Sequence, residues 1–153
     1  MRVANHLLAV IGEWTGTNAL RVMPDDDFRN SAGSATVATH SAGNVVTISY
    51  SWSDFDGQPQ EGLLVLSDGE GDGTVAVVWS DSWHQHPQWM PMSGTVDADG
   101  RISVRGVYGE GAEQGGWWIH IDPTDVTQLI MTMDNDMTET GQYEVVRATY
   151  ARP

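Results

Sequence analysis

The densest run of side chains able to do chemistry is Trp79-Ser80-Asp81-Ser82-Trp83-His84-Gln85-His86. Read as part of a strand, His84 and His86 stand at i and i+2 and project to the same side, and neutral imidazoles suit zinc, copper or nickel. Two ligands are too few for a metal site, and nothing in the sequence brings a third, such as His120 or Asp81, to their side. A rim loop with exposed imidazoles and no metal is therefore the expectation. A hydrolytic set of Ser82, His84 and Asp81 fares worse, because such triads converge from separate parts of a chain and no Gly-x-Ser-x-Gly elbow is present. Aspartates recur at Asp68, Asp72, Asp97, Asp99, Asp134 and Asp136, but no run supplies the Gly and the bidentate Glu of an EF-hand, so they read as turn residues. No catalytic residue is assigned on this basis.

Aromatic and sulfur side chains form a second set: Tyr50, Trp52, Trp79, Trp83, Trp89, Trp117, Trp118, Met131 and Met133. They can fill a core, or line a cavity for an apolar or aromatic ligand. The expected lining is Tyr50, Trp52, Trp79, Trp118 and Met131, with His120 as a polar handle on the same strand parity as Trp118. Trp117, Ile119 and Ile121 compete with Trp118 and His120 for the interior, and a one-residue slip exchanges the two sets.

Strands must position these residues. Val46, Ile48, Tyr50 and Trp52 share one face and Thr47, Ser49 and Ser51 the other, the alternation of a half-buried strand. The same pattern runs through Thr74 to Trp83 and Arg101 to Tyr108. Turn chemistry punctuates the runs at Ser41-Ala42-Gly43-Asn44, Asp56-Gly57, Ser67-Asp68-Gly69, Asp97-Ala98-Asp99-Gly100, Gly109-Glu110-Gly111 and Asp122-Pro123-Thr124-Asp125. The longer break is Met23 to Ala32. About ten strands of roughly 6–12 residues follow one another as a meander, preceded by one short helix near Val3 to Val10. Such a meander leaves two open edges unless its ends meet, so the predicted fold is all-β, a closed antiparallel barrel in one domain over residues 1–153.

Composition narrows the function. The chain of 153 residues has no Cys, which removes disulfides, thiolate metal sites and Cys nucleophiles. Its 7 basic residues are all Arg against 21 acidic ones, for a formal net charge of −14. Nucleic acid and anionic membrane surfaces are disfavoured as partners, and the absence of Lys excludes Schiff-base chemistry and a Walker lysine. Leu7-Leu8-Ala9-Val10-Ile11 is too short for a signal-peptide core and no stretch has the length of a membrane span, so a cytoplasmic protein is the default expectation.

Gly12-Glu13-Trp14-Thr15-Gly16 near the start and Ala148-Thr149-Tyr150-Ala151-Arg152 at the end resemble the calycin superfamily of lipocalins, fatty-acid-binding proteins and nitrobindin-like barrels. That resemblance implies a Gly-x-Trp opening the first strand and an Arg of the last strand covering the indole, here Trp14 and Arg152. The fuller pattern is similar to DUF1579, a bacterial family of unknown function. Its short motifs match Gly12 to Gly16, Asp56-Gly57 to Gly62, Trp79-Ser80-Asp81-Ser82, Gly94 to Gly100 and Tyr150-Ala151-Arg152. The stretch His84 to Met92 has no counterpart in that pattern. The resemblance implies a barrel and assigns no activity. Haem, as in the nitrobindin-like relatives, would need one inward axial His, for which His120 is the candidate.

The leading functional expectation is non-catalytic binding of a small hydrophobic or aromatic ligand inside the barrel, with no cofactor. An enzyme using His84, His86 and Asp81 at the rim, and a structural protein with a filled core, are the alternatives.

Overall fold

Ten strands in simple meander order make the architecture, and what turns the meander into a barrel is the meeting of its two ends. The computed structural model describes residues 2–153. Strands β1 (Gly12–Leu20), β2 (Arg29–His40), β3 (Val45–Ser53), β4 (Pro59–Asp68), β5 (Thr74–Asp81), β6 (Gln85–Val96), β7 (Ile102–Tyr108), β8 (Gly115–Asp125), β9 (Gln128–Met137) and β10 (Gly141–Ala151) each pair with their neighbours in sequence. The ring closes between β1 and β10, antiparallel from Thr15 opposite Ala151 to Leu20 opposite Val146. The short helix α1 (Val3–Leu7) and a 3-10 turn (Leu8–Val10) precede β1, as the spacing of Val3, Leu7 and Val10 predicts.

Closure rests on a small set of contacts. The Arg152 guanidinium lies 4.1 Å from the centre of the Trp14 ring, and its Nη1 and Nη2 donate to the carbonyls of Ile11 and Ala9 at 2.9 and 2.6 Å. Trp14 is buried, with Nε1 donating to the Val10 carbonyl at 2.8 Å. One arginine thus ties the last strand to the 3-10 turn and the first strand together, adding a cation–π attraction to hydrogen bonds that satisfy carbonyls at the end of a helix. Gly16 sits in this seam because a β-carbon there would stand 1.9 Å from the Thr149 carbonyl oxygen.

The helix stops one end of the barrel. Val3, Ala4, Leu7 and Val10 are buried, and Asp68 at the end of β4 accepts from the Val3 amide at 2.7 Å, capping the helix from another element. Because every strand reverses the last, the turns after β2, β4, β6 and β8 lie at this end. Those after β1, β3, β5, β7 and β9 lie at the opposite end, the mouth.

Inside, the alternation read from the sequence holds for most strands. Val46, Ile48, Tyr50 and Trp52 of β3, Val75, Val77, Trp79 and Asp81 of β5, and Ile102 and Val104 of β7 are all buried. On β8 the parity is the reverse of the expectation: Trp117, Ile119 and Ile121 face inward, and Trp118 and His120 stand on the outer face. Bulk decides this, since the inward set offers three large apolar groups to the core and leaves the imidazole in water. The strand predicted over Thr74 to Trp83 stops at Asp81, and residues 82–84 form a turn that carries no Gly, Pro or Asn. Asp122 to Asp125 is not a turn but the bulged end of β8, and the reversal comes one step later at residues 126–127.

Replacing Arg152 with Ala is expected to lower the unfolding free energy by about 1–2 kcal/mol, through the cation–π contact and the two carbonyl bonds. Chemical denaturation of the two proteins measures it, and Arg152→Lys should recover part of the loss.

Candidate functional site

The mouth is where polar chemistry enters an otherwise apolar interior, and Asp81 organises it. Asp81 is the last residue of β5 and is buried. Its Oδ1 accepts from the backbone amides of Trp83 and His84 at 2.9 and 2.8 Å, an Asx-type turn in a stretch without Gly, Pro or Asn. Its Oδ2 accepts from the Tyr50 hydroxyl at 2.6 Å, and that hydroxyl accepts from Trp79 Nε1 at 2.9 Å. Burial, reinforced by the Asp81 charge and bond, holds the Tyr50 pKa well above the ordinary tyrosine value, so the phenol keeps its proton and donates it. Tyr50 reaches Asp81 across Gly62, where a β-carbon would lie 2.1 Å from the phenol ring.

The turn that Asp81 holds folds His84 inward. The imidazole stacks on Trp52, with ring centres 5.2 Å apart and planes 20° off parallel. Trp83 and Trp117 meet it edge-on at 4.9 and 5.4 Å, and Trp79 lies 6.5 Å away. Its Nε2 is shielded from solvent and has no hydrogen-bond partner among the described residues. Burial pushes the His84 pKa down, and the nearby Asp81 carboxylate only partly opposes this, so the ring is neutral near pH 7. Among the described residues, two further buried polar atoms inside the barrel are unmatched, Asn18 Nδ2 and the Tyr150 hydroxyl. From the rim inward runs a chain of ring contacts: Arg29 over Phe55 at 5.3 Å, Phe55 to Trp83 at 5.9 Å, and Trp83 to Trp52 at 5.4 Å.

Of the residues picked from the sequence, Tyr50, Trp52, Trp79 and Met131 lie in the interior, and the first three meet at the mouth. Trp118 and His120 lie outside it, stacked on each other with planes 5° apart. His84 is not the exposed rim residue expected but an inward one, whereas His86 is exposed on β6. The turn at residues 82–84 breaks the two-residue period, so the two imidazoles do not share a side. Among the described residues, no group of three or more His, Asp or Glu side chains is gathered closely enough to hold a metal ion. Trp117 and Asp81 are site residues that sequence reasoning left out of the lining. The Asx propensity of Asp81 ahead of Ser82 was the available signal.

A haem does not fit these residues. His120 is outward and bonded through both ring nitrogens, and His84, though inward, has indole rings packed on it where a porphyrin would have to lie.

Two solved structures share the fold. The crystal structure of Rv2717c from M. tuberculosis superposes with a TM-score of 0.67 at 16% identity, covering 99% of this chain and 97% of that one. The S-type phycobiliprotein lyase CPES from Guillardia theta gives 0.62 at 11% identity, covering 100% of this chain and 93% of the other. No curated protein matches the sequence. Among the described residues no helix is long and apolar enough to cross a membrane. Residues 3–152 match the family described as a protein of unknown function, DUF1579, and this chain, barrel and flanking motifs together, belongs to that family.

Proposed function

We propose that the protein binds a small aromatic or apolar molecule at the mouth of the barrel, with His84 as its polar contact and Tyr50, Trp52, Trp79 and Trp117 around it. The observation that carries this reading is the unmatched Nε2 of His84 inside a nest of indole rings. A buried polar group without a partner costs about 1–3 kcal/mol, and such a group is retained more readily where a ligand supplies the partner. The ligand's own hydroxyl, acid or amide would meet Nε2, and its ring would stack among the indoles, at an offset or edge-on angle as aromatic pairs prefer. Trp83, only partly buried and held by the short turn from Asp81, is the side chain that must swing aside to admit it. A similar barrel in a phycobiliprotein lyase places a known protein on this architecture, but a fold does not carry a function and the argument rests on the site. The second reading is a filled core, favoured by the near-complete burial of Trp79, Trp52 and Ile119.

Titration with a hydrophobic fluorophore while following Trp emission separates the two. Saturable one-site quenching is expected, weakened about tenfold in His84→Phe by loss of one hydrogen bond, with thermal stability unchanged or raised because the orphaned nitrogen is gone. An absence of saturable quenching in the unaltered protein would leave the aromatic nest as core alone.

Stability should also depend on pH through His84. Its folded pKa lies below the unfolded value of 6.5, so the unfolded chain binds the proton first as pH falls. The stabilisation is complete above about pH 6.5 and is lost, by up to about 1.4 kcal/mol per pH unit, on the way down to the folded pKa. Denaturation midpoints measured from pH 7.5 to 5 should fall less in His84→Phe. The aspartates held below their ordinary value of 3.8, Asp54, Asp122, Asp125 and Asp134, act in a separate, lower window.

A further inference from the structure

The geometry points to a second site on the outside of the barrel, in which Ser103 is a nucleophile activated by His120 and positioned through Asp134, able to transfer the acyl group of a small carboxylic ester. This goes beyond ligand binding at the mouth and shares no residue with it. Ser103 on β7 lies directly opposite His120 on β8, and Asp134 on β9 is the diagonal neighbour of His120, since it pairs with Trp118 two residues away. All three stand on the outer face. Ser103 Oγ is 2.8 Å from His120 Nδ1, and His120 Nε2 is 3.3 Å from Asp134 Oδ2.

The partners assign the protons. A carboxylate only accepts, so the hydrogen of the neutral imidazole sits on Nε2 and points at Asp134. Nδ1 then presents its lone pair to the Ser103 hydroxyl, which donates to it. This is the arrangement of a general base poised on a nucleophile, with the roles of the two ring nitrogens exchanged relative to the serine proteases. Both flanking groups are fixed. Trp118 lies parallel to the imidazole with centres 5.8 Å apart, and Gln142 Nε2 donates to Asp134 Oδ2 at 2.8 Å. Burial works against the Asp134 charge, but the bonds from His120 and Gln142 and the Arg147 charge outweigh it and keep the carboxyl ionised below its ordinary range. The imidazole is 35% exposed and the carboxylate 15%, and Ser103 is half-buried, so solvent reaches the imidazole while the orienting carboxylate is largely covered.

A surface hollow of about 330 Å³ adjoins Ser103 and His120 and is bordered by Ile130, Thr132, Arg101 and Arg147. Register lines these groups up. Ser103 pairs with His120, His120 with Thr132, and Thr132 with Arg147, one row across four strands. In the reaction, Ser103 Oγ bonds to the ester carbonyl carbon as its proton passes to His120 Nδ1. The carbonyl oxygen takes the electron pair as an oxyanion, for which the donors on that row are the Thr132 hydroxyl and Nη1 of Arg147, whose Nε and Nη2 already bond to Glu144. The pair returns, the bond to the leaving alkoxide breaks, and His120 gives it the proton. Water then adds to the acyl carbon with its proton going to His120, and Ser103 Oγ departs taking that proton back, which releases the acid and restores the site.

Incubating the protein with p-nitrophenyl acetate tests this, with nitrophenolate release followed by absorbance and the acetyl group located by peptide mass mapping. The chain has no Lys, so side-chain amines do not compete for the label. Acetylation at Ser103 is expected, with release slowed roughly a hundredfold in Ser103→Ala and in His120→Gln. Asp134→Asn should lower kcat with KM unchanged, whereas general loosening of the strands would move both. An acetyl group absent from Ser103 in the unaltered protein, or equal release by it and a folded Ser103→Ala, would overturn the assignment. If Ser103→Ala fails to fold, the peptide map of the unaltered protein decides alone.

Discussion

Everything in this barrel depends on the first strand meeting the last. Ten antiparallel strands in sequence order have two free edges, and the only pairing that removes both is β1 with β10. Arg152 enforces it by bonding to the 3-10 turn ahead of β1 while lying over Trp14, so a single side chain joins helix, first strand and last strand. With the ring closed, one face of the strands is removed from water at once, except at the start of β6, where residues 86–89 are exposed on both faces. The interior then has to be filled or occupied, and both the packed aromatic core and the polar mouth are answers to that demand.

At the mouth the demand is met with a buried carboxylate. Asp81 costs desolvation, yet its two oxygens take three hydrogen bonds, two from the turn and one from Tyr50, and Trp79 completes the chain. The consequence is local order in a turn that lacks Gly, Pro and Asn, and that order turns His84 into the barrel. The imidazole there is neutral near pH 7 and stacked among indole rings, and its Nε2 has no partner among the described residues.

The outer face shows a different use of the same strands. Parity sends Trp117, Ile119 and Ile121 to the core and leaves Trp118 and His120 outside, where cross-strand neighbours from β7 and β9 complete a serine, imidazole and carboxylate row. One β8 strand therefore supplies the mouth with Trp117 and the exterior with His120, on opposite faces of the sheet.

The periodic part of this protein was legible in its residues: ten strands, one short helix, most turn positions, and the pairing of Trp14 with Arg152 implied by resemblance at the two ends of the chain. These follow from local rules, because side-chain alternation and turn propensity act over a few residues. The interior placement of Tyr50, Trp52, Trp79 and Met131 was legible for the same reason. Three things were not. The sequence Trp117-Trp118-Ile119-His120-Ile121 offers apolar groups on both faces, so only packing against the closed core could choose the parity, and that choice moved His120 from the inside to the outside. The burial of Asp81, which carries the turn at residues 82–84 inward, depends on a bond from Tyr50, 31 positions away, and the set of Ser103, His120 and Asp134 depends on register across three strands. Tertiary structure decided all three, because hydrogen bonds between strands are set by which residues come to lie opposite each other, and that is fixed only when the whole ring has closed.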